Sequence, residues 1–120
     1  MAYILLVEDE PETRYALAQV LRDAGHDVDE ADSAADAAPL LEEQDFDLVI
    51  CELQLAHDQA AIILEQARRH TPRVGVIGIY GGGLAGSAHH VATAKAAGAV
   101  AILHKPFDSE TLVAAAARLS

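Results

Sequence analysis

The sequence predicts a doubly wound α/β fold, a five-stranded parallel sheet with helices on both faces, and three observations predict it. Short apolar runs recur at Tyr3 to Val7, Leu48 to Leu53, Val74 to Ile79 and Ala99 to Leu103, with a weaker one at Asp27 to Ala31. The first four are nearly continuous rather than alternating, as in strands covered on both faces. Helical segments with start and stop signals separate them, and strict alternation of this kind implies right-handed crossovers between parallel strands. At 120 residues, 52% of them apolar, the chain suits one domain spanning 1–120 with a substantial core.

The elements follow in order. The first strand runs into Glu8, Asp9 and Glu10, so acids stand at its carboxyl end. Pro11 sits early in the first helix, Leu17, Val20 and Leu21 share one face, and Gly25 lies just beyond the end. Asp27 to Ala31 reads as an edge strand. Ser33 can cap the second helix. Within that helix Pro39 removes a hydrogen bond and clashes with the preceding turn, so a kink or a late start is expected. Asp45 and Asp47 around Phe46 read as a solvated turn. Asp58 or His57 opens the third helix, which carries Ile62, Ile63 and Ala67. Ser87 can cap the fourth, Gly98 stops it, and Asp108 or Ser109 can cap the fifth, whose Ala114 to Ala117 stretch is ordinary helix composition.

Charge and composition exclude several functions. The net charge is −11 and the sequence pI about 4.7, so the summed field repels phosphate backbones and anionic lipids, and no direct nucleic-acid binding is expected. No apolar stretch approaches the ~20 residues that span a bilayer, and Met1 leads straight into a strand rather than a basic signal segment. Neither a membrane nor an export role is expected. Cys51 is the single cysteine and lies in an apolar run, which fits a buried thiol in a reducing compartment and a cytoplasmic residence. The sequence carries no signal for an oligomeric state.

Ligand chemistry in such sheets gathers at the carboxyl ends of the strands, where strand order reverses. Three strand ends supply charge there: Glu8 and Asp9 after the first, Glu52 near the end of the third, and Lys105 after the fifth. Crowded carboxylates raise at least one pKa unless a metal or a lysine offsets the repulsion. Such an acid cluster suits Mg²⁺, and Lys105 can hold a phosphoryl oxygen or a carboxylate.

The run Val7, Glu8, Asp9, the segment Asp47 to Leu55, and Lys105, Pro106, Phe107 resemble the receiver domains of two-component response regulators, a flavodoxin-like (βα)5 fold. The resemblance covers essentially the whole chain. It implies that Glu8 and Asp9, with the main-chain carbonyl of Gln54, correspond to Mg²⁺ ligands, that Lys105 contacts a phosphoryl group, and that the Lys105–Pro106 peptide is cis. It also places Glu52 where the family has its phosphate-accepting aspartate. The turn Ala56 to Ala60 lacks the family's usual proline and glycine. Tyr80 and Gly81 stand where a switch hydroxyl is usual, and Ile102 stands in the aromatic switch position. Neither member of the usual hydroxyl-to-aromatic coupling is present.

Glu52 exceeds aspartate by one carbon–carbon bond, about 1.5 Å, which carries its carboxylate toward the place of a phosphoryl oxygen and toward Lys105. Two readings follow, a structural ion pair without a signalling role and a fixed, phosphate-independent state. No cofactor is required on this view, and Mg²⁺ is expected to bind weakly. The resemblance implies partners among signalling proteins: a histidine kinase, a phosphotransferase or a downstream regulator. The domain is expected to be a non-catalytic interaction module, with the last two strands and helices as the partner face. The rivals are a receiver that still takes phosphate in a Mg²⁺-dependent reaction, and a flavodoxin-like small-ligand protein.

The second rival would use the loop Gly81, Gly82, Gly83, Leu84, Ala85, Gly86, Ser87 as an anion cradle. That loop lacks the lysine of a P-loop and follows the fourth strand rather than the first, so it reads as a connecting loop. His89 and His90 are neighbours on a helix and are expected to point different ways rather than share a metal. His26, His57, His70 and His104 are dispersed, and all six read as surface or satisfied histidines.

Overall fold

Five parallel strands form one sheet in the order β2-β1-β3-β4-β5, with β1 at Tyr3–Val7, β2 at Asp27–Ala31, β3 at Leu48–Glu52, β4 at Gly75–Tyr80 and β5 at Ala101–His104. The computed structural model describes residues 1–81 and 87–119, and of Ser87 the backbone alone. Helices α1 (Pro11–Asp23) and α5 (Ser109–Leu119) cover one face. The other face carries α2 (Ala34–Glu43), α3 (Gln59–His70) and α4 (Ser87–Ala96). Residues 82–86, which make up most of the glycine loop, lie outside the described set, as does the capping side chain of Ser87.

The near-continuous apolar runs divide their side chains by parity. Ile4, Leu6, Leu48, Ile50, Ile77 and Ile79 pack with Leu21 and Leu112. Leu5, Val7, Val49, Cys51 and Val76 pack with Leu41, Ile63 and Leu64. Gly78 faces this second layer because Leu53 fills its place: a Cβ there would stand 2.7 Å from Leu53 Cδ1.

Local signals account for most boundaries. Pro11 begins α1, and Gly25 at φ +98° follows its end in a left-handed conformation that glycine adopts without strain. Ser33 accepts a hydrogen bond from the Asp36 N–H at the start of α2. The late start expected from Pro39 does not occur. Helix α2 begins at Ala34 and includes Pro39, because the Ser33 cap anchors its first turn. Asp108 Oδ1 accepts from the Thr111 N–H and caps α5.

Three strands differ by a residue or two from the apolar runs. β3 ends at Glu52, although the Leu53 N–H still donates to the Ile79 carbonyl at 2.7 Å. β4 is displaced by one residue, to Gly75–Tyr80. β5 starts at Ala101 rather than Ala99, because the Ala99 N–H closes the end of α4 on the Ala94 carbonyl at 2.9 Å. Asp47 is more than a solvated turn residue, since its Oδ2 accepts the Tyr3 N–H at 2.8 Å and fixes the entry to β1.

Candidate functional site

Strand order reverses at β1, whose two neighbours are β2 and β3, and the crevice at the carboxyl ends of β1 and β3 is the expected position for a site. A cleft of about 370 Å³ lies there, lined by Glu8, Asp9, Glu10, Glu52, Gln54, Gly81 and Lys105. Glu8 and Glu52 are almost fully buried, 2% and 4% exposed. Buried carboxylates need partners. Lys105 supplies one to both: its Nζ lies 2.5 Å from Glu8 Oε1 and 2.7 Å from Glu52 Oε2.

The remaining oxygens are also engaged. Glu8 Oε2 accepts the Glu10 N–H at 3.3 Å, and Glu52 Oε1 accepts the Gln54 N–H at 3.0 Å. Glu52 Oε2 has no aligned hydrogen bond, so the ammonium is what meets it. Burial pushes the Glu8 carboxyl above its ordinary range against the pull of Lys105, and the Asp9 carboxyl beside it pushes the same way. Burial alone would lower the Lys105 pKa, but its close contacts with Glu52 and Glu8 and the fields of the two carboxylates outweigh it and hold the ammonium charged. Burial also raises the Cys51 thiol, which is fully enclosed and inert as a nucleophile.

The acid pair of the resemblance implies Mg²⁺, but the donors do not fit a divalent cation as they stand. The carboxylates of Glu8 and Glu52 are occupied by Lys105 and backbone N–H groups. Gln54 turns its side-chain Oε1 to the Gly81 N–H at 2.9 Å. Among the described residues no three His, Cys, Asp or Glu side chains converge as metal ligands.

The matching family model is that of the response regulator receiver domain, over residues 4–117. The chain belongs to this family. The receiver is 38% identical over 116 residues to the alginate biosynthesis transcriptional regulatory protein AlgB of Pseudomonas aeruginosa, covering 96% of this chain and 25% of that protein. It is 32% identical over 117 residues to the response regulator protein FleR of the same organism, covering 98% of this chain and 24% of that one. The chain thus spans about a quarter of the length of these curated relatives. Among solved structures, NtrX from Brucella abortus in complex with ATP superposes with a TM-score of 0.87 at 28% identity, covering 98% of this chain and 26% of that one. A CheY-like receiver domain protein from Methanospirillum hungatei has the same fold, with a TM-score of 0.87 at 24% identity over 98% of this chain and 92% of that one.

The receiver brings Glu8, Asp9, Glu52, Gln54, Gly81 and Lys105 to one cleft and leaves Tyr80 and Ile102 out of it. The Tyr80 ring stacks edge-on against His104 at 4.7 Å. Ile102 packs against the apolar layer beneath α2 and α3. The Lys105–Pro106 peptide is cis. His57 and Asp58 both adopt left-handed backbone in a 3₁₀ turn at Ala56–Asp58, where the family's glycine and proline are missing. Asp58 occupies the N-cap position of α3 without capping it, and its Oδ1 lies 3.1 Å from His89 Nε2 on α4. His89 and His90 do not diverge as expected, since their rings meet edge-on at 5.6 Å. His26 is satisfied, with Nδ1 accepting the Ala2 N–H at 2.9 Å.

Two contributors escaped the sequence reading. Arg14 on α1 donates to the Glu8 carbonyl at 2.9 Å and pairs with Glu30 at 3.4 Å, which fixes the acidic turn. Its only sequence signal is its place four residues after Glu10, which suggests a pair with Glu10 that does not form. The Gln54 side chain is the second, because the resemblance points only to its main-chain carbonyl.

Proposed function

We propose that this receiver is a phosphorylation-independent signalling module that works through protein–protein contacts, with Glu52 replacing the phosphate-accepting aspartate. One observation carries the reading. Lys105, the residue that would contact a phosphoryl group, is already held by Glu52 at 2.7 Å and by Glu8 at 2.5 Å. A nucleophile must present its oxygen to an incoming phosphoryl group in line. Here both oxygens of Glu52 are committed, one to the ammonium and one to the Gln54 N–H.

On this reading the charged trio holds one conformation without phosphate. Removing one member of a buried pair costs far more than the pair contributes, so the arrangement resists opening. Mg²⁺ binds weakly, because Glu8 and Glu52 are engaged elsewhere. The partners are signalling proteins such as a histidine kinase, a phosphotransferase or a downstream regulator, in the cytoplasm. The −11 charge argues against direct contact between this domain and nucleic acid.

The test is the intact mass of the wild-type chain after incubation with acetyl phosphate and Mg²⁺. No stable phosphoryl adduct is expected. An adduct mapped to Glu52 or Asp9 would overturn the reading.

A further inference from the structure

The polar contacts around Lys105 close into a ring that joins the ends of three strands. Lys105 Nζ meets Glu52 Oε2 at 2.7 Å, and Glu52 Oε1 accepts the Gln54 N–H at 3.0 Å. Gln54 Oε1 in turn accepts the Gly81 N–H at 2.9 Å. The carbonyl of Tyr80, one residue back, accepts the Lys105 N–H at 2.7 Å and completes the circuit. β3, β4 and β5 each contribute an end.

We infer that Gln54 is a positioning residue that ties the acid at the acceptor position to Gly81, at the end of β4. Its main chain orients Glu52 and its side chain holds Gly81, so the locked Glu52–Lys105 pair also sets where β4 ends. This rests on the phosphate-independent reading and adds the route by which the lock reaches the output side. The usual route is absent, because neither Tyr80 nor Gly81 offers a short hydroxyl.

Sterics explain why the tie comes from β3. A Cβ on Gly81 would lie 3.0 Å from Lys105 Cβ and 3.1 Å from Lys105 Cδ, so the lysine stem occupies the space that a side chain at 81 would need. The connection must therefore be made to the Gly81 backbone, and glutamine has the reach. Asparagine is shorter by about 1.5 Å and would fall outside hydrogen-bond distance. A neutral amide also accepts this bond without adding an anion to a cleft that already holds Glu8, Asp9, Glu10 and Glu52. The tie has leverage because packing beyond it is thin: among the described residues of α4, Ala94 alone is buried.

The experiment uses the full ¹⁵N-labelled chain with no phosphodonor. Gln54→Met keeps the length and removes the acceptor, whereas Gln54→Glu keeps an acceptor oxygen. In Gln54→Met, Gly81 amide exchange should accelerate roughly fivefold, as expected for the loss of one net hydrogen bond, with shift changes confined to residues 52–54, 79–81 and α4. Gln54→Glu should retain Gly81 protection. Glu52→Gln should loosen Gly81 as well, and less than additively with Gln54→Met. If Gln54→Met fails to fold, Gln54→Asn carries the same expectation. The inference is overturned if Gly81 is unaffected, if the glutamate variant behaves like the methionine variant, or if exchange rises uniformly through the chain. A phosphoryl adduct on the wild type would sink the phosphate-independent reading while leaving this result standing, so the two failures are separable.

Discussion

Helices α3 and α4 cover the same face of the sheet but are held by different means. α3 buries Ala60, Ile63, Leu64 and Ala67, whereas α4 buries Ala94 alone among its described residues. α4 adds a polar contact to this thin burial, Asp58 to His89, and Gln54 holds Gly81 at the end of β4. Apolar burial is indifferent to the charge state of the cleft, while a short set of polar contacts is not. α3 is therefore held mainly by apolar packing, and on the proposed reading α4 is the more responsive of the two to the groups around Lys105.

The largest expected effect comes from removing the ammonium that serves both buried acids. Lys105→Met should cost about 3–5 kcal/mol in urea unfolding, since it strands Glu8 and Glu52 without a counter-charge. A loss below about 1 kcal/mol would mean that the cleft is wet and the pair is screened. Next, Leu64→Ala in α3 should cost about 2–5 kcal/mol, while Val91→Ala in α4, at a half-buried position, should cost about 1 kcal/mol or less. Equal losses would erase the contrast between the two helices.

The pH dependence sharpens the polar side of the comparison. The folded-state pKa of Glu8 lies above its unfolded value, so the stability from its tighter proton is complete below about 4.3 and is lost as pH rises through the folded pKa. Wild-type stability relative to Glu8→Gln should therefore decline as pH climbs above about 4.3, measured as urea midpoints across the range. A rise over that interval would show that Lys105 dominates burial at Glu8. The smallest effect should come from Asp58→Asn. Its contact with His89 is 68% and 60% exposed at the two side chains, so solvent limits the loss to less than about 1 kcal/mol in urea unfolding.

Much of this was legible in the sequence, for identifiable reasons. Buried parallel strands leave near-continuous apolar runs, so four strands stand out and the edge strand β2, with only Val28 and Ala31 apolar, shows more weakly, while the acids and lysine at the strand ends mark the carboxyl edge. The start of β5 is not legible, because Ala99 has the composition of a strand while its N–H is committed to closing α4. Glu52 was visible because a strand end requires some residue there, and the longer acid is written in the chain. Gln54 and Arg14 were not, because their roles depend on how far a side chain reaches across the fold: one to Gly81, the other back to the Glu8 carbonyl. The left-handed pair His57 and Asp58 left only a faint trace, the missing glycine and proline of that turn.

On the phosphate-independent reading, the extra length of Glu52 fills the phosphoryl position and engages Lys105. The most direct test compares wild type with Glu52→Asp by intact-mass spectrometry and peptide mapping after the same exposure to acetyl phosphate and Mg²⁺. Aspartate withdraws the carboxylate by about 1.5 Å and loosens its hold on the lysine, which Glu8 still meets. The account predicts a phosphoryl group on residue 52 of Glu52→Asp and none on the wild type. Equal modification of both proteins, or of neither, would contradict it.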